Sequence, residues 1–231
     1  MSDILVFEGA GKIYSPGTEL EVRALKDVSF ALTKGSFTYL LGPSGSGKTT
    51  LLNLAGLLDS PTSGKVLISG RDTSVMPEKE KSRLRNASVG FVFQQPTFLP
   101  EFTAAENVMF PALISGAAKS AVYEKAKLLF DMMGLSLRAE HYPSQLSGGE
   151  LQRFAILRAL MNDPEILLCD EPTGQLDEEN ASLVMSELMK FLERSDAALL
   201  FVTHNRDLAA ASKRRVLHLR NGLLTVAGND I

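Results

Sequence analysis

Only one cysteine, Cys169, occurs in the 231-residue chain, so no intrachain disulfide can form, and no cysteine and histidine spacing suits a zinc site. A reducing cytosol fits that usage. Long apolar stretches are also missing: the longest runs, such as Ala197 to Val202, fall far short of the roughly 18 residues of a membrane-spanning helix. Any membrane must therefore be supplied by another chain. The start, Met1 to Ala10, carries Asp3 and Glu8 and lacks a basic segment followed by an apolar one, so no secretory signal is expected. There is no basic excess either. Lys and Arg number 24 against 27 Asp and Glu, a net charge of −3, which argues against a dedicated nucleic-acid binder. Low-complexity tracts and repeats with a period of about 20–50 residues are absent, which excludes a solenoid.

What is present is ordinary globular material, 45% hydrophobic and 22% charged, close to the average of folded domains. The length suits one large domain or a domain with a subdomain. Ile4 to Phe7, Val28 to Leu32 and Phe37 to Leu41 read as strands, with a turn at Thr33-Lys34-Gly35-Ser36. Leu51, Leu52, Leu54, Ala55 and Leu58 have helical spacing, so a helix is expected from Lys48 to Leu58. Strands follow at Lys65 to Ile68 and Val89 to Phe93, separated by a charged helical stretch, Met76 to Asn86. Residues from about 96 to 160 then offer helices at Ala104 to Ser115, Lys119 to Met133 and Glu150 to Met161 with little strand signal, which suggests a helical subdomain inserted in a sheet. Ile166 to Cys169 and Ala198 to Thr203 flank a helix at Glu178 to Arg194, a βαβ crossover that implies a parallel sheet. Val216 to Leu219 and Leu223 to Val226 flank Arg220-Asn221-Gly222 as a terminal hairpin.

Three motifs carry chemistry. Gly42-Pro43-Ser44-Gly45-Ser46-Gly47-Lys48-Thr49 fits the phosphate-binding loop pattern and lies between an expected strand and an expected helix. There the glycines let backbone N–H groups point at phosphate oxygens, Lys48 reaches the β- and γ-phosphates, and the Thr49 hydroxyl is a hard ligand for Mg²⁺. Ile166-Leu167-Leu168-Cys169-Asp170-Glu171 is an apolar strand ending in two acids, where Asp170 can hold Mg²⁺ directly or through water and Glu171 can act as general base toward water. Two solvated acids at a strand end are the plainer alternative. Leu146-Ser147-Gly148-Gly149-Glu150 opens a helix, with Ser147 able to donate to an anion and the glycines permitting close approach. An ordinary N-cap is the alternative there. Cys169 reads as a small core residue.

In this order, phosphate loop, Gln94, LSGGE, Asp170-Glu171 and His204, the chain resembles the ATP-binding-cassette ATPases over nearly its whole length. The resemblance implies an α/β P-loop NTPase with a mostly parallel sheet core, an antiparallel β edge subdomain and the inserted helical subdomain, 1–231 being one nucleotide-binding domain. ATP and Mg²⁺ are the implied ligands, with Thr50 joining Gly42 to Thr49 in the nucleotide site. Gln94 is then the loop glutamine that contacts Mg²⁺ or the water, and His204 the histidine that bonds the γ-phosphate and steadies Glu171. Asp177 belongs to the loop linking two sites, and Tyr14 is the aromatic on which adenine stacks, with a packing role as the alternative. Ser147, Gly148, Gly149 and Glu150 of one subunit are expected to close over the nucleotide of another in a head-to-tail homodimer or paired cassette. Gln175 departs from the pattern, which usually has Asn there.

The stretch Phe91 to Val108, with its FxFQ, LxP, T and ENV elements, resembles the lipoprotein-release and macrolide-export branch. That branch implies separate transmembrane permease subunits, a cytoplasmic cassette lying on the inner face of the membrane through them, and no direct contact with cargo. Phe98, Leu99 and Phe102 form an apolar, Pro-bounded stretch beside Gln94 that can receive a partner helix or be buried in the core. A regulatory cassette controlling cell-wall hydrolases, or efflux of drug, heme, peptide or lipid, are the rival roles. A GTPase is excluded by the lack of an Asn-Lys-x-Asp guanine motif.

Overall fold

The computed structural model describes residues 2–174 and 176–226; Gln175 lies outside them. Two sheets stack on one another. The smaller is antiparallel, in the order β2-β1-β4-β5, from Asp3–Tyr14 (β1), Val22–Thr33 (β2), Ser63–Ile68 (β4) and Arg71–Asp72 (β5). The larger, β10-β9-β3-β8-β7-β6, comprises Phe37–Leu41 (β3), Val89–Val92 (β6), Ile166–Asp170 (β7), Ala198–Thr203 (β8), Arg215–Arg220 (β9) and Leu223–Val226 (β10). All its neighbours are parallel except the terminal hairpin β9 and β10. The expected hairpin and parallel core are both present.

The sheet's two faces divide the core by residue parity, as alternation along a strand requires. Tyr39, Leu41, Leu167, Cys169, Leu199 and Phe201 point into one hydrophobic cluster, which they share with the helices Ala104–Ile114 (α3), Lys119–Met132 (α4), Gly148–Leu160 (α5) and Glu178–Arg194 (α6). Leu40, Ile166, Leu168, Leu200 and Val202 point the other way, onto the helix Lys48–Ala55 (α1) and the apolar face of the antiparallel sheet. Both faces of the parallel strands are thus covered, which explains why β8 is buried along its whole length. The remaining helices are Glu78–Ser88 (α2) and Arg206–Ala211 (α7).

Register places the strand ends level with one another. Leu41 pairs with Thr203, Asp170 with Val202, and Val92 with Cys169. The residues that follow, Gly42, His204, Glu171 and Phe93-Gln94, therefore leave the sheet along a single carboxyl edge, the place where open α/β sheets bind ligands.

Candidate functional site

The phosphate loop joins β3 to α1 directly. Gly45 and Gly47 have φ of +75° and +106°, in the region that side chains disfavour, and a Cβ on Gly47 would lie 2.5 Å from the Ala24 carbonyl. Only glycine lets the loop turn there against β2. Gly47 caps α1 without a side-chain hydrogen bond, and no acid occupies the first turn, so the helix offers its N–H groups and positive end to an anion. Lys48 Nζ donates to the carbonyls of Gly42 (2.8 Å) and Pro43 (2.9 Å). This holds the ammonium across the loop.

Beside it stand the acids of β7. Glu171 has φ +44°, a strained value for a non-glycine residue, and its N–H donates to Val202 O at 3.0 Å. Its side chain is only 16% exposed, and Oε2 lies 3.0 Å from His204 Nδ1 and accepts from Gln94 Nε2 at 3.4 Å. Three residues from three strand ends thus meet on one oxygen. Burial lifts the Asp170 carboxyl above the usual range, the adjacent Glu171 charge lifts it further, and Lys48 pulls in the opposite direction. Buried Cys169, just before it, has its thiol pushed up by burial and by Asp170, so it behaves as a core residue and not as a reactive thiolate.

Gln94 is held from behind. Buried Gln152 of α5 donates to Phe93 O at 3.2 Å, and Arg158 donates to Thr97 O at 2.6 Å while lying 4.7 Å from the Phe98 ring centroid. Of the three apolar residues expected beside Gln94, Phe98 therefore packs under Arg158 and against the core. Leu99 and Phe102 are exposed and line a cleft of about 560 Å³ with Phe110, Pro111 and Ile114. Asn107, fully buried, fixes that wall by accepting from Leu99 N–H and donating to the carbonyls of Leu99, Phe102 and Thr103.

Ser147 caps α5. Its hydroxyl accepts from Glu150 N–H (3.2 Å), and Glu150 accepts from Ser147 N–H (2.8 Å), a capping box. That N–H, with Arg138 beside the carboxylate, holds Glu150 below its usual range despite partial burial. The N-cap reading is therefore correct, and the exposed Ser147 and Gly148 still open to solvent at the helix start. Asp177 caps α6 through Asn180, whose amide nitrogen donates to both of its carboxylate oxygens. The same Asn180 packs on α5: a Cβ on Gly149 would lie 3.2 Å from it. Sequence reading gave no structural role to Asn180, Gln152 or Asn107, the last two being read only within the motif stretches, and the burial of Gln152 and Asn107 depends on packing between elements that no local pattern announces.

Tyr14, at the end of β1, shares a cleft of about 630 Å³ with Ala24, Gly45, Gly47, Lys48, Thr49 and Thr50. The structure thus groups Tyr14 with the phosphate loop, and Gln94 with Glu171 and His204. The starts of α5 and α6 meet where Gly149 approaches Asn180, and Gly148 shares a cleft with Gln94 and Leu176.

A family profile described as ABC transporter matches residues 25–174. The lipoprotein-releasing system ATP-binding protein LolD of Legionella pneumophila (strain Paris) is 46% identical over 225 residues, covering 97% of this chain and 98% of that protein. Its counterpart in Paramagnetospirillum magneticum is 46% identical over 204 residues, covering 88% and 90%. Among solved structures, the dimeric post-hydrolysis state of the ATP-binding cassette MJ0796 bound to ADP and Pi superposes with a TM-score of 0.88 at 36% identity, covering 97% of this chain and 100% of that one.

Proposed function

Since the chain belongs to the ABC transporter family and is an ATP-hydrolysing cassette, we propose that it powers release of lipoproteins from a membrane through separate permease subunits. The observation that carries the catalytic part is the convergence of Gln94, Glu171 and His204 on one carboxylate oxygen at the sheet's carboxyl edge. The cargo follows from the relatives named for lipoprotein release.

Lys48 meets the β- and γ-phosphates from its place across the loop, while the N–H groups of Gly42 to Thr50 and the start of α1 surround the remaining oxygens. Gln94 donates to Glu171 Oε2, with His204 Nδ1 beside the same oxygen, so Oε1 is the oxygen left to take the proton from the attacking water. His204, 69% exposed, also has an open edge for the γ-phosphate. Thr49, Asp170 and Gln94 would hold Mg²⁺. The donor set fits: a hydroxyl, an amide oxygen and one carboxylate are hard oxygen ligands, and Mg²⁺ takes one or two carboxylates with phosphate and water oxygens. When bound, the ion neutralises charge on the phosphates.

Ser147, Gly148, Gly149, Glu150 and Asp177 complete the site of a second copy, head to tail. Two solved structures of the similar cassette MJ0796 are dimeric, which supports that arrangement. ATP bound across the interface stabilises the closed dimer, and its hydrolysis removes that linkage. Residues 96–160 act as a helical subdomain of one nucleotide-binding domain, and the Leu99–Phe102–Ile114 cleft receives a permease helix. No helix among the described residues is long and apolar enough to cross a membrane; the cassette sits on the inner face of the cell membrane through its partner. Reconstitution with the co-purified permease subunits tests the cargo. Acylated protein should leave vesicles when ATP is added and stay when Glu171→Gln replaces the parent chain. Release that is independent of ATP would overturn the assignment.

A further inference from the structure

Tyr14 is 36% exposed and ends a strand, followed by Ser15 at φ +48°, a setting in which an aromatic ring is free to swing away from a ligand. It is tied down by a residue far along the chain. Tyr14 OH donates to Asp59 Oδ2 at 3.2 Å, and Asp59 Oδ1 accepts from Lys12 Nζ at 2.5 Å and from Ser60 N–H at 2.7 Å. Lys12 also donates to Ser60 O at 2.9 Å, and its ammonium lies 5.0 Å from the Tyr14 ring centroid, within the range of a cation–π contact.

The geometry follows from β1 and α1. Lys12 and Tyr14 are two apart on one strand and so lie on one face, and Asp59 sits in the loop just past α1, the helix that carries Lys48. Tyr14 helps to wall the cleft at Gly45 to Thr50, whereas Lys12 does not. The ammonium lies over one ring face, 5.0 Å from its centroid, and stands outside that cleft. Burial alone would raise the Asp59 carboxyl, but the Lys12 and Tyr14 bonds and the Ser60 N–H outweigh it and hold Asp59 below its usual range, so the anchor stays ionised at neutral pH.

We propose that Asp59 is a positioning residue for the nucleotide base: it fixes the Tyr14 ring, with Lys12 over one face, so that the other face is presented to adenine at a set distance from the phosphate loop. This rests on the stacking reading of Tyr14. Asp59 touches neither base nor phosphate, and its effect passes through the Tyr14 hydroxyl and the α1 loop. Stacking of a base on an aromatic is tolerant of sequence and chemistry, but it requires the ring to be in place before the base arrives, and preorganisation of that kind lowers the ordering cost of binding.

Titration calorimetry of the purified full chain with ATP and, separately, with inorganic tripolyphosphate tests this. Asp59→Ala and Tyr14→Phe should each weaken ATP binding about threefold to tenfold, the range that loss of one hydrogen bond covers, and leave tripolyphosphate binding unchanged. The double variant should be no weaker than the worse single one, and Asp59→Asn, which keeps an acceptor, should recover most of the loss. Unchanged ATP affinity in Asp59→Ala or Tyr14→Phe, alongside weakening in Tyr14→Ala, overturns the positioning role and leaves stacking intact. No effect of Tyr14→Ala overturns stacking itself and the proposal with it. Equal loss of both ligands would mark Asp59 as a structural residue and also overturn the proposal.

Discussion

Replacing Glu171 by glutamine separates chemistry from architecture, because the structure shows what the amide keeps. The backbone N–H bond to Val202 O at 3.0 Å does not involve the side chain. An amide oxygen at the place of Oε2 still accepts from Gln94 Nε2 and keeps the His204 Nδ1 contact, and the side-chain volume is nearly unchanged. ATP affinity should therefore stay within about threefold, less than about 0.7 kcal/mol. The group lost is the one that takes the proton from water, and general-base catalysis contributes about 10²–10⁴-fold. Phosphate release at saturating ATP should fall by that factor, with the thermal unfolding midpoint unchanged. His204→Ala removes one of the two contacts on Oε2 but leaves the carboxylate, so its loss of turnover should be smaller. Hydrolysis by Glu171→Gln within about tenfold of the parent would refute the general-base role, and a loss of ATP binding would refute the geometric reasoning.

Lys48→Ala removes the ammonium held across the phosphate loop. Charge-assisted bonds to phosphate are worth about 1.5–3 kcal/mol, so ATP binding, read by calorimetry, should weaken by about tenfold to a hundredfold or more. Asp170→Asn should move stability and activity in opposite directions. The folded state raises the Asp170 carboxyl pKa, so the folded protein binds that proton more tightly than the unfolded chain, and the ionised group costs stability as pH rises through the unfolded value toward the folded one. The neutral amide avoids that cost. The nucleotide-free variant should therefore unfold at higher urea than the parent near neutral pH, with the difference vanishing in acid, while turnover drops; a lower midpoint would contradict the burial argument.

The framework was legible because its signals are local. Glu178–Arg194 appears where the charged first turn and helical spacing placed it, and β3 and β8 coincide with their apolar runs. Other ends moved for identifiable reasons. α1 stops at Ala55 instead of Leu58 because Gly56 caps it and Leu57 adopts φ +58°. β1 runs on to Tyr14 past the expected end at Phe7, since register shifts between Phe7 and Lys12, with Gly9 at φ +56°, break the alternation a periodicity reading needs. The short α7 escaped notice, although Asn205 caps it through Leu208 N–H and Asn at such a position is a start signal.

At the site, the phosphate loop and the Asp170-Glu171 pair could be read from residues and spacing, because each is a contiguous string. The meeting of Gln94, Glu171 and His204 could not. It depends on β6, β7 and β8 being neighbours in register, which periodicity does not specify and family likeness alone suggested. The Tyr14 and Asp59 contact spans 45 residues between a strand end and a loop, and nothing in either local sequence announces it.

The reach of one copy into the nucleotide of another is best tested by the mass of the Glu171→Gln protein in solution, measured by light scattering with and without ATP. The account predicts a monomer without nucleotide and a dimer with it. Adding Ser147→Arg should restore the monomer even though calorimetry still finds ATP bound by Lys48 and its loop. A double variant that still dimerises, or one whose monomer no longer binds ATP, would contradict it.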